Sequence, residues 1–175
     1  MTPARGRGAA GTPPSSAPTP PPEGAAAPPF TLASDQGPVR LADFRGRPVV
    51  LYFYPRDDTT GCTKEACDFR DHWSEIGRAG AVVLGVSPDG VDSHVRFKRK
   101  HALPFPLLAD PDHAVAERYG VWGEKSMYGR KYLGIIRTTF LIDGGGRIAK
   151  VWSKVRVPNH ADEVLEALGK LEASG

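Results

Sequence analysis

Short apolar runs alternate with amphipathic segments along most of this chain. Two continuous apolar runs, residues 48–54 and 81–87, are rich in β-branched and aromatic side chains, which is typical of strands buried on both faces. Between them, apolar residues recur at helical spacing over residues 62–78. Together the three segments predict a βαβ unit with two parallel strands at the centre of a sheet.

The flanking segments complete the predicted fold. Residues 30–46 alternate apolar and polar side chains around a turn at residues 35–38, which predicts a small β-hairpin followed by a short helical turn. A glycine-rich turn at residues 143–146 separates two further apolar segments and predicts an antiparallel hairpin. This order of elements predicts an α/β fold with a mixed central sheet covered by helices on both faces. Further helices are expected over residues 91–101, 112–119 and 161–171.

The first 29 residues have a different composition. Almost every position is Pro, Ala, Gly, Ser or Thr, and within this segment no large apolar residue follows Met1. Such a segment buries too little apolar surface to offset the entropy of ordering it, so we expect residues 1–29 to be a disordered tail and residues 30–175 to form one domain. The segment lacks the apolar stretch of a signal peptide, whereas a transit peptide stays open. No run of about 18 apolar residues follows, and we expect a soluble, cytoplasmic protein.

The charge and the cysteine content argue against several classes of function. The 175 residues include 23 Lys and Arg against 20 Asp and Glu, and a net charge of +3 gives no electrostatic case for binding nucleic acid or a membrane surface. The basic run at residues 96–101 is expected to be a solvated helix face. Two cysteines are too few for a disulfide scaffold, and the five histidines lack the spacing of a metal site, so no bound metal is expected.

One of the two cysteines occupies a position that favours chemistry. Cys62 follows the first buried strand and lies near the start of the next helix, at the sheet edge where α/β proteins tend to bind ligands. If Thr59 or Thr60 caps the helix, Cys62 falls in its first turn, where free backbone N–H groups and the helix dipole favour negative charge. That placement stabilises a thiolate, the nucleophilic form of cysteine.

The second cysteine, Cys67, follows five residues later. In an intact helix the two residues would lie roughly 140° apart around the axis, with their Cα atoms about 8.7 Å apart. A disulfide needs roughly 4.4–6.8 Å between Cα atoms, so the two cysteines can bond only if part of the helix unwinds. The alternative interpretation is two unrelated thiols, because free cysteine is among the most buried residue types.

The residues around Cys62 also resemble those of a known family. The pattern Pro55-x-x-x-Thr59-x-x-Cys62 matches the active-site pattern of peroxiredoxins, and residues 61–67, GCTKEAC, look like the Q-type, or bacterioferritin comigratory protein, branch. The resemblance implies a thioredoxin-like fold with an N-terminal β-hairpin extension, and a thiol peroxidase acting on hydrogen peroxide and organic hydroperoxides. Similarity extends over nearly all of residues 29–170, including residues 120–125, 128–131, 134–143 and 155–157.

The resemblance further implies a role for each matched residue. Cys62 would be the peroxidatic cysteine, and Cys67 the resolving cysteine of the same chain. Thr59 would direct its hydroxyl at the thiolate and the peroxide, Pro55 would shield the pocket, and Arg137 would hold the thiolate and the peroxide oxygens. No metal or organic cofactor is required. Thioredoxin or a similar dithiol protein would reduce the resulting disulfide, and the chain would be a monomer.

Three of these residues also have simpler interpretations. Thr59 taken alone would be a helix cap. Arg137 opens an apolar strand, where a structural ion pair or a solvated edge position is the default, although its apolar neighbours indicate a partly buried charge with a function. Glu65 could form a capping box with Cys62 as the N-cap residue, so it is not included among the predicted site residues.

Two other function classes stay open. A disulfide reductase of the thioredoxin type uses Cys-x-x-Cys, whereas four residues separate Cys62 from Cys67 here. A redox-sensing interaction module would use the same disulfide switch to display a surface, with the proline-rich tail recruiting partners. Comparing peroxide reduction with protein disulfide reduction separates the two enzyme classes.

Overall fold

Nine strands form two sheets within residues 18–174, the part of the chain that the computed structural model describes; side chains are described for residues 18–172. The strands are β1 (Thr31–Ser34), β2 (Val39–Arg40), β3 (Val49–Phe53), β4 (Val82–Ser87), β5 (Leu107–Ala109), β6 (Trp122–Met127), β7 (Arg130–Ile135), β8 (Thr138–Ile142) and β9 (Ile148–Trp152). Seven of them form one mixed sheet in the order β2-β1-β5-β4-β3-β8-β9, and β6 pairs with β7 in a separate sheet.

The predicted βαβ unit forms the centre of the large sheet. Strands β3 and β4 pair in parallel, from Val49 opposite Val82 to Phe53 opposite Val86, and β5 continues the parallel set beside β4. On the other side of β3, β8 and β9 form the antiparallel hairpin that the sequence predicts. Strand β1 pairs antiparallel with both β2 and β5, so the N-terminal strand pair is part of the same sheet. The predicted mixed α/β fold is confirmed.

Helices lie against both faces of the sheet within residues 18–174. They are α1 (Thr60–Asp71), α2 (Trp73–Arg78), α3 (Val91–His101), α4 (Ala114–Arg118) and α5 (His160–Ser174). The helix expected over residues 62–78 is interrupted at His72, whose backbone leaves the helical region at φ −102° and ψ 13°. Its ring Nδ1 donates to the carbonyl oxygen of Asp68 at 2.8 Å, which engages a helix carbonyl at the point where α1 ends. None of the helices in this region has the length and apolar character needed to cross a membrane.

The side chains of β3 alternate between two hydrophobic layers. Val49, Leu51 and Phe53 pack in one cluster with buried residues of α4 and β8. Val50 and Tyr52 pack in the other cluster with buried residues of α1, α2, α3 and α5. Each large apolar side chain buried in this way contributes about 1.5–3 kcal/mol. The start of α1 is thereby fixed against the sheet at the carboxyl end of β3.

The folded region begins before residue 30, which corrects the predicted domain boundary. The backbone N–H of Gly24 donates to the carbonyl of Ile148 at 2.7 Å, the N–H of Ile148 donates to Ala25 at 2.8 Å, and Ala27 is buried. These bonds pair the first residue of β9, an edge strand of the large sheet that would otherwise expose these backbone groups. Composition does not reveal this, because main-chain hydrogen bonds hold the segment. Residues 1–17 of the predicted tail lie outside the described residues.

The β6–β7 hairpin and strand β5 were not predicted from the sequence. The β6–β7 hairpin turns at Tyr128 and Gly129, which both have positive φ values of 52° and 78°. Its strands expose large side chains, with Met127 55% and Leu133 64% exposed, so they lack the alternation of a half-buried strand. Strand β5 has only three residues and follows a proline at position 106, which obscures its pattern.

Candidate active site

Cys62 lies in the first turn of α1, as the sequence predicts. Thr59 is the N-cap residue, with extended backbone at φ −88° and ψ 159°, and its carbonyl accepts a hydrogen bond from the Thr63 N–H at 2.8 Å. Cys62 begins the buried stripe of the helix, which continues through Glu65, Ala66 and Phe69. The cysteine is only 1% exposed. The helix N-terminus therefore presents its free N–H groups and positive dipole end close to the sulfur.

Arg137 reaches the sulfur from the neighbouring strand. Because β8 pairs antiparallel with β3, the start of β8 lies beside the end of β3, with Thr138 opposite Phe53. Arg137 directly precedes β8, and its Nη2 donates to Cys62 Sγ at 3.3 Å. The side chain of Arg137 is 17% exposed, so the expectation of a partly buried charge is confirmed. A guanidinium at this distance stabilises the thiolate form of the cysteine.

Glu65 is a member of the site in addition to the residues predicted from the sequence. Its Oε1 lies 2.5 Å from Arg137 Nη1, and its side chain is 1% exposed. The suggested capping box is wrong, because the N-cap residue is Thr59 and the Glu65 carboxyl pairs with Arg137. Its spacing could have predicted this position, because a residue three positions after Cys62 lies on the same helix face.

The carboxyl of Glu65 titrates near neutral pH. Burial raises its pKa to about 7, an effect that the neighbouring Arg137 opposes. Its second oxygen, Oε2, and the Tyr52 hydroxyl are buried and have no hydrogen-bond partner among the described residues. Burial, together with the nearby Glu65 and Cys62, also raises the pKa of Tyr52, which stays protonated. The charge of the Glu65 carboxyl, which pairs with Arg137, therefore changes within the physiological pH range.

We expect Glu65 to lower the unfolding free energy of the reduced protein as the pH rises from about 5 to about 8. Its pKa is about 7 in the folded chain against an ordinary value of 4.5, so the folded state holds the proton more tightly. The stabilisation is complete at low pH and is lost as the pH rises through about 7. In Glu65→Gln this loss is absent. The difference in unfolding free energy between the two proteins should therefore change by roughly 1–3 kcal/mol between the two pH values. Urea unfolding at the two pH values measures it, and equal pH dependence in both proteins would contradict the assignment.

The remaining predicted residues lie on α1 and on the loop before it. Thr59 Oγ1 donates to the carbonyl of Arg56 at 3.1 Å, so in this conformation its hydroxyl is engaged within the loop. Pro55 is half-buried and opens that loop. Cys67 lies off the buried stripe of α1 and is half-buried, and both cysteines are free thiols. Because α1 is continuous from Thr60 to Asp71, helix geometry keeps the two Cα atoms about 8.7 Å apart.

The loop between β3 and α1 is anchored by a buried network that the sequence did not reveal. The Asp57 carboxylate accepts hydrogen bonds from the Tyr54 and Ser93 hydroxyls at 2.6 and 2.7 Å. It also lies 2.7 Å from Nδ1 of His94, which is fully buried. Within residues 18–174 no group of three His, Cys, Asp or Glu side chains is arranged to hold a metal ion. The anchored loop thus fixes the segment that leads to Cys62.

Known proteins match this chain in sequence and in fold. The AhpC/TSA family model matches residues 24–151. Peroxiredoxin Bcp of Bacillus subtilis is 50% identical over 143 residues, which cover 81% of this chain and 91% of that protein. The structure of Xanthomonas campestris peroxiredoxin Q superposes with a TM-score of 0.77 at 44% identity, covering 81% of this chain and 90% of that one.

A further solved structure carries information on activity. The bacterioferritin comigratory protein of Xanthomonas campestris, solved in trapped intermediate and ligand complexes that concern its alkyl peroxide reduction activity, has a TM-score of 0.77 at 43% identity. The match covers 81% of this chain and 90% of that chain. With its thiol held between a helix N-terminus and an arginine, the chain belongs to the AhpC/TSA family and is a peroxiredoxin of the Bcp and peroxiredoxin Q branch, a peroxidase with a thioredoxin-like fold.

Proposed function

We propose that this peroxiredoxin reduces hydrogen peroxide and organic hydroperoxides through Cys62 and is recycled through a Cys62–Cys67 disulfide by thioredoxin or a similar dithiol protein. The observation that supports the proposal most strongly is the contact of 3.3 Å between Arg137 Nη2 and Cys62 Sγ in the first turn of α1. The Xanthomonas campestris relative, with its alkyl peroxide reduction activity, supports the same substrate class. The chain is proposed to act as a monomer.

The first step is attack of the Cys62 thiolate on one peroxide oxygen. A sulfur–oxygen bond forms, the oxygen–oxygen bond breaks, and the leaving oxygen takes up a proton as water or an alcohol. Negative charge moves from the sulfur to the leaving oxygen, so a fixed cationic donor beside that axis stabilises the transition state more than the ground state. The contact between Arg137 Nη2 and Cys62 Sγ supports Arg137 as this donor. Pro55 shields the sulfur from solvent, and the Thr59 hydroxyl turns from the Arg56 carbonyl towards the peroxide.

The second step joins the two cysteines. The Cys67 thiol attacks the sulfenic sulfur of Cys62, a disulfide forms, and water leaves. Because the intact helix holds the two residues too far apart, the first turns of α1 must unwind before this bond can form. The reductant then restores both thiols by thiol–disulfide exchange and is itself oxidised to a disulfide. The cytoplasm, where such dithiol proteins keep cysteines reduced, is the proposed location.

The proposal is tested by following peroxide and reductant together. With hydrogen peroxide or an alkyl hydroperoxide, the purified protein should consume one thioredoxin dithiol for each peroxide reduced, and it should not reduce insulin disulfides by itself. Insulin reduction without peroxide consumption would instead show a disulfide reductase. Slow peroxide reaction together with a stable, oxidation-dependent complex would instead show a redox-sensing module.

A further inference from the structure

Helix α3 holds the loop before α1 at one buried carboxylate. Asp57 lies two residues before the N-cap residue Thr59 and is 9% exposed. Its Oδ1 accepts from the Tyr54 hydroxyl at 2.6 Å. Its Oδ2 lies 2.7 Å from both Ser93 Oγ and His94 Nδ1, which are neighbours on α3. Two consecutive residues of α3 therefore bind the same oxygen of the loop.

Hydrogen-bond chemistry determines how His94 is bound. Its Nε2 lies 2.9 Å from the carbonyl oxygen of Leu108, which can only accept, so Nε2 carries a hydrogen. Its Nδ1 lies 2.7 Å from Oδ2 of Asp57, so the other ring nitrogen makes the hydrogen bond to the loop. Both hydrogen bonds are made by a histidine side chain that has no solvent exposure. His94 thereby ties the loop to β5 as well as to α3.

The loop transmits this anchoring to the sulfur through a short stretch of backbone. The N–H of Asp57 donates to Asp89 Oδ2 at 2.6 Å, so the loop is fixed at its main chain as well. Two residues later the carbonyl of Thr59 starts α1. A Cβ atom at Gly61 would lie 3.3 Å from Arg137 Nη2, so the start of the helix packs closely against the guanidinium. A displacement of Asp57 would move this turn, and Cys62 with it, relative to Arg137.

We propose that His94 is a positioning residue for the peroxide reaction, which acts through Asp57 to keep the start of α1, and so the Cys62 sulfur, aligned with Arg137. The inference rests on the proposed function, because it concerns the same thiol. His94 is buried, so it acts through the loop and makes no contact with the peroxide.

Two amide variants of His94 separate positioning from packing. The side-chain nitrogen in His94→Asn can occupy the place of Nδ1 and donate to Asp57. The longer side chain in His94→Gln reaches the Leu108 carbonyl and leaves Asp57 without that donor. Because a misplacement of about 1 Å can cost about 10²-fold in rate, we expect the second-order rate constant for Cys62 oxidation to fall about 10²-fold in His94→Gln and less than about fivefold in His94→Asn. Rapid mixing with one equivalent of hydrogen peroxide, quenched by a thiol-blocking reagent, measures this constant.

Thermal unfolding of both variants is the accompanying stability measurement, and similar melting temperatures are expected because both lose the ring. Equal rate losses in the two variants would overturn the proposal, since the ring would then only fill space, and unchanged rates in both would overturn it as well. If His94→Gln does not fold, Ser93→Ala removes another donor to the same carboxylate oxygen and should slow Cys62 oxidation about three- to tenfold; an unchanged rate would contradict the proposal.

Lys100→Met is the matched control. Lys100 pairs at 2.8 Å with Asp58, an exposed residue of the same loop, and loss of this contact should leave the rate constant unchanged. A loss as large as that of His94→Gln would overturn the assignment to the buried network. Failure of the proposed function is distinguishable from failure of this inference, because the wild-type protein itself would then show no oxidation of Cys62 by peroxide.

Discussion

Replacing Cys62 with serine should reduce peroxide consumption to the uncatalysed background. Replacing Cys67 with serine should stop only the recycling step and leave the reaction of Cys62 with peroxide intact. A serine hydroxyl is not ionised at neutral pH, so Arg137 and the helix N-terminus have no anion to stabilise and no thiolate remains at that position. In Cys67→Ser the Cys62 thiolate still attacks peroxide, and the sulfenic acid accumulates because no second thiol captures it. Steady-state turnover with thioredoxin and a sulfenic-acid trapping reagent distinguish the two defects.

The two variants serve as controls for each other, because both remove one sulfur from the same helix. The peroxide reaction of Cys67→Ser in a single turnover should match that of the wild-type protein within about threefold, since Cys67 lies off the buried stripe that carries Cys62. Undiminished turnover in Cys62→Ser, or undiminished turnover with thioredoxin in Cys67→Ser, would show that the two roles are assigned wrongly.

Replacing Arg137 with methionine should lower the second-order rate constant for peroxide about 10²- to 10³-fold, the usual cost of removing one donor to a developing charge. Methionine keeps most of the buried volume but supplies neither the charge nor the bond to Cys62 Sγ. Arg137→Lys should lie between wild type and Arg137→Met, because one ammonium cannot reproduce the planar fork that now binds both Cys62 and Glu65. Single-turnover oxidation of Cys62 measures both.

Lys125→Met provides the comparison for Arg137. Lys125 is another cation beside the site, but its Nζ donates to the carbonyl of Ile135 at 2.7 Å. Burial, together with the charge of Arg137, lowers the pKa of Lys125. If proximity of positive charge were sufficient, the two methionine variants would be impaired alike. We expect the second-order rate constant of Lys125→Met to fall by less than about threefold. Equal falls in Lys125→Met and Arg137→Met would contradict a specific role for the guanidinium.

The parts of the fold that the sequence predicted are those encoded by neighbouring residues. The continuous apolar runs place β3 and β4, and the helical spacing gives α3 at residues 91–101. The position of Cys62 follows from the same local information, because a buried strand, a polar loop and a helix follow one another directly along the chain. Strand β7 was not predicted because its residues 130–133 are exposed on both faces, so no alternation marks it.

The parts of the site that the sequence did not predict depend on contacts between distant residues. His94 and Asp57 are 37 positions apart, and neither spacing nor composition brings them together. Arg137 is 75 positions from Cys62, and only the family pattern placed it at the sulfur. The pairing of residues 24–27 with β9 uses backbone groups, which the residue types there do not reveal.

The most direct test of the proposed Cys62–Cys67 disulfide is mass spectrometry of the reduced full-length protein after one equivalent of hydrogen peroxide. We expect a chain lighter by two hydrogen atoms, and a proteolytic fragment in which Cys62 and Cys67 of one chain are linked. A chain that gains oxygen while both cysteines stay unlinked, or one in which Cys62 is still a free thiol, would contradict it.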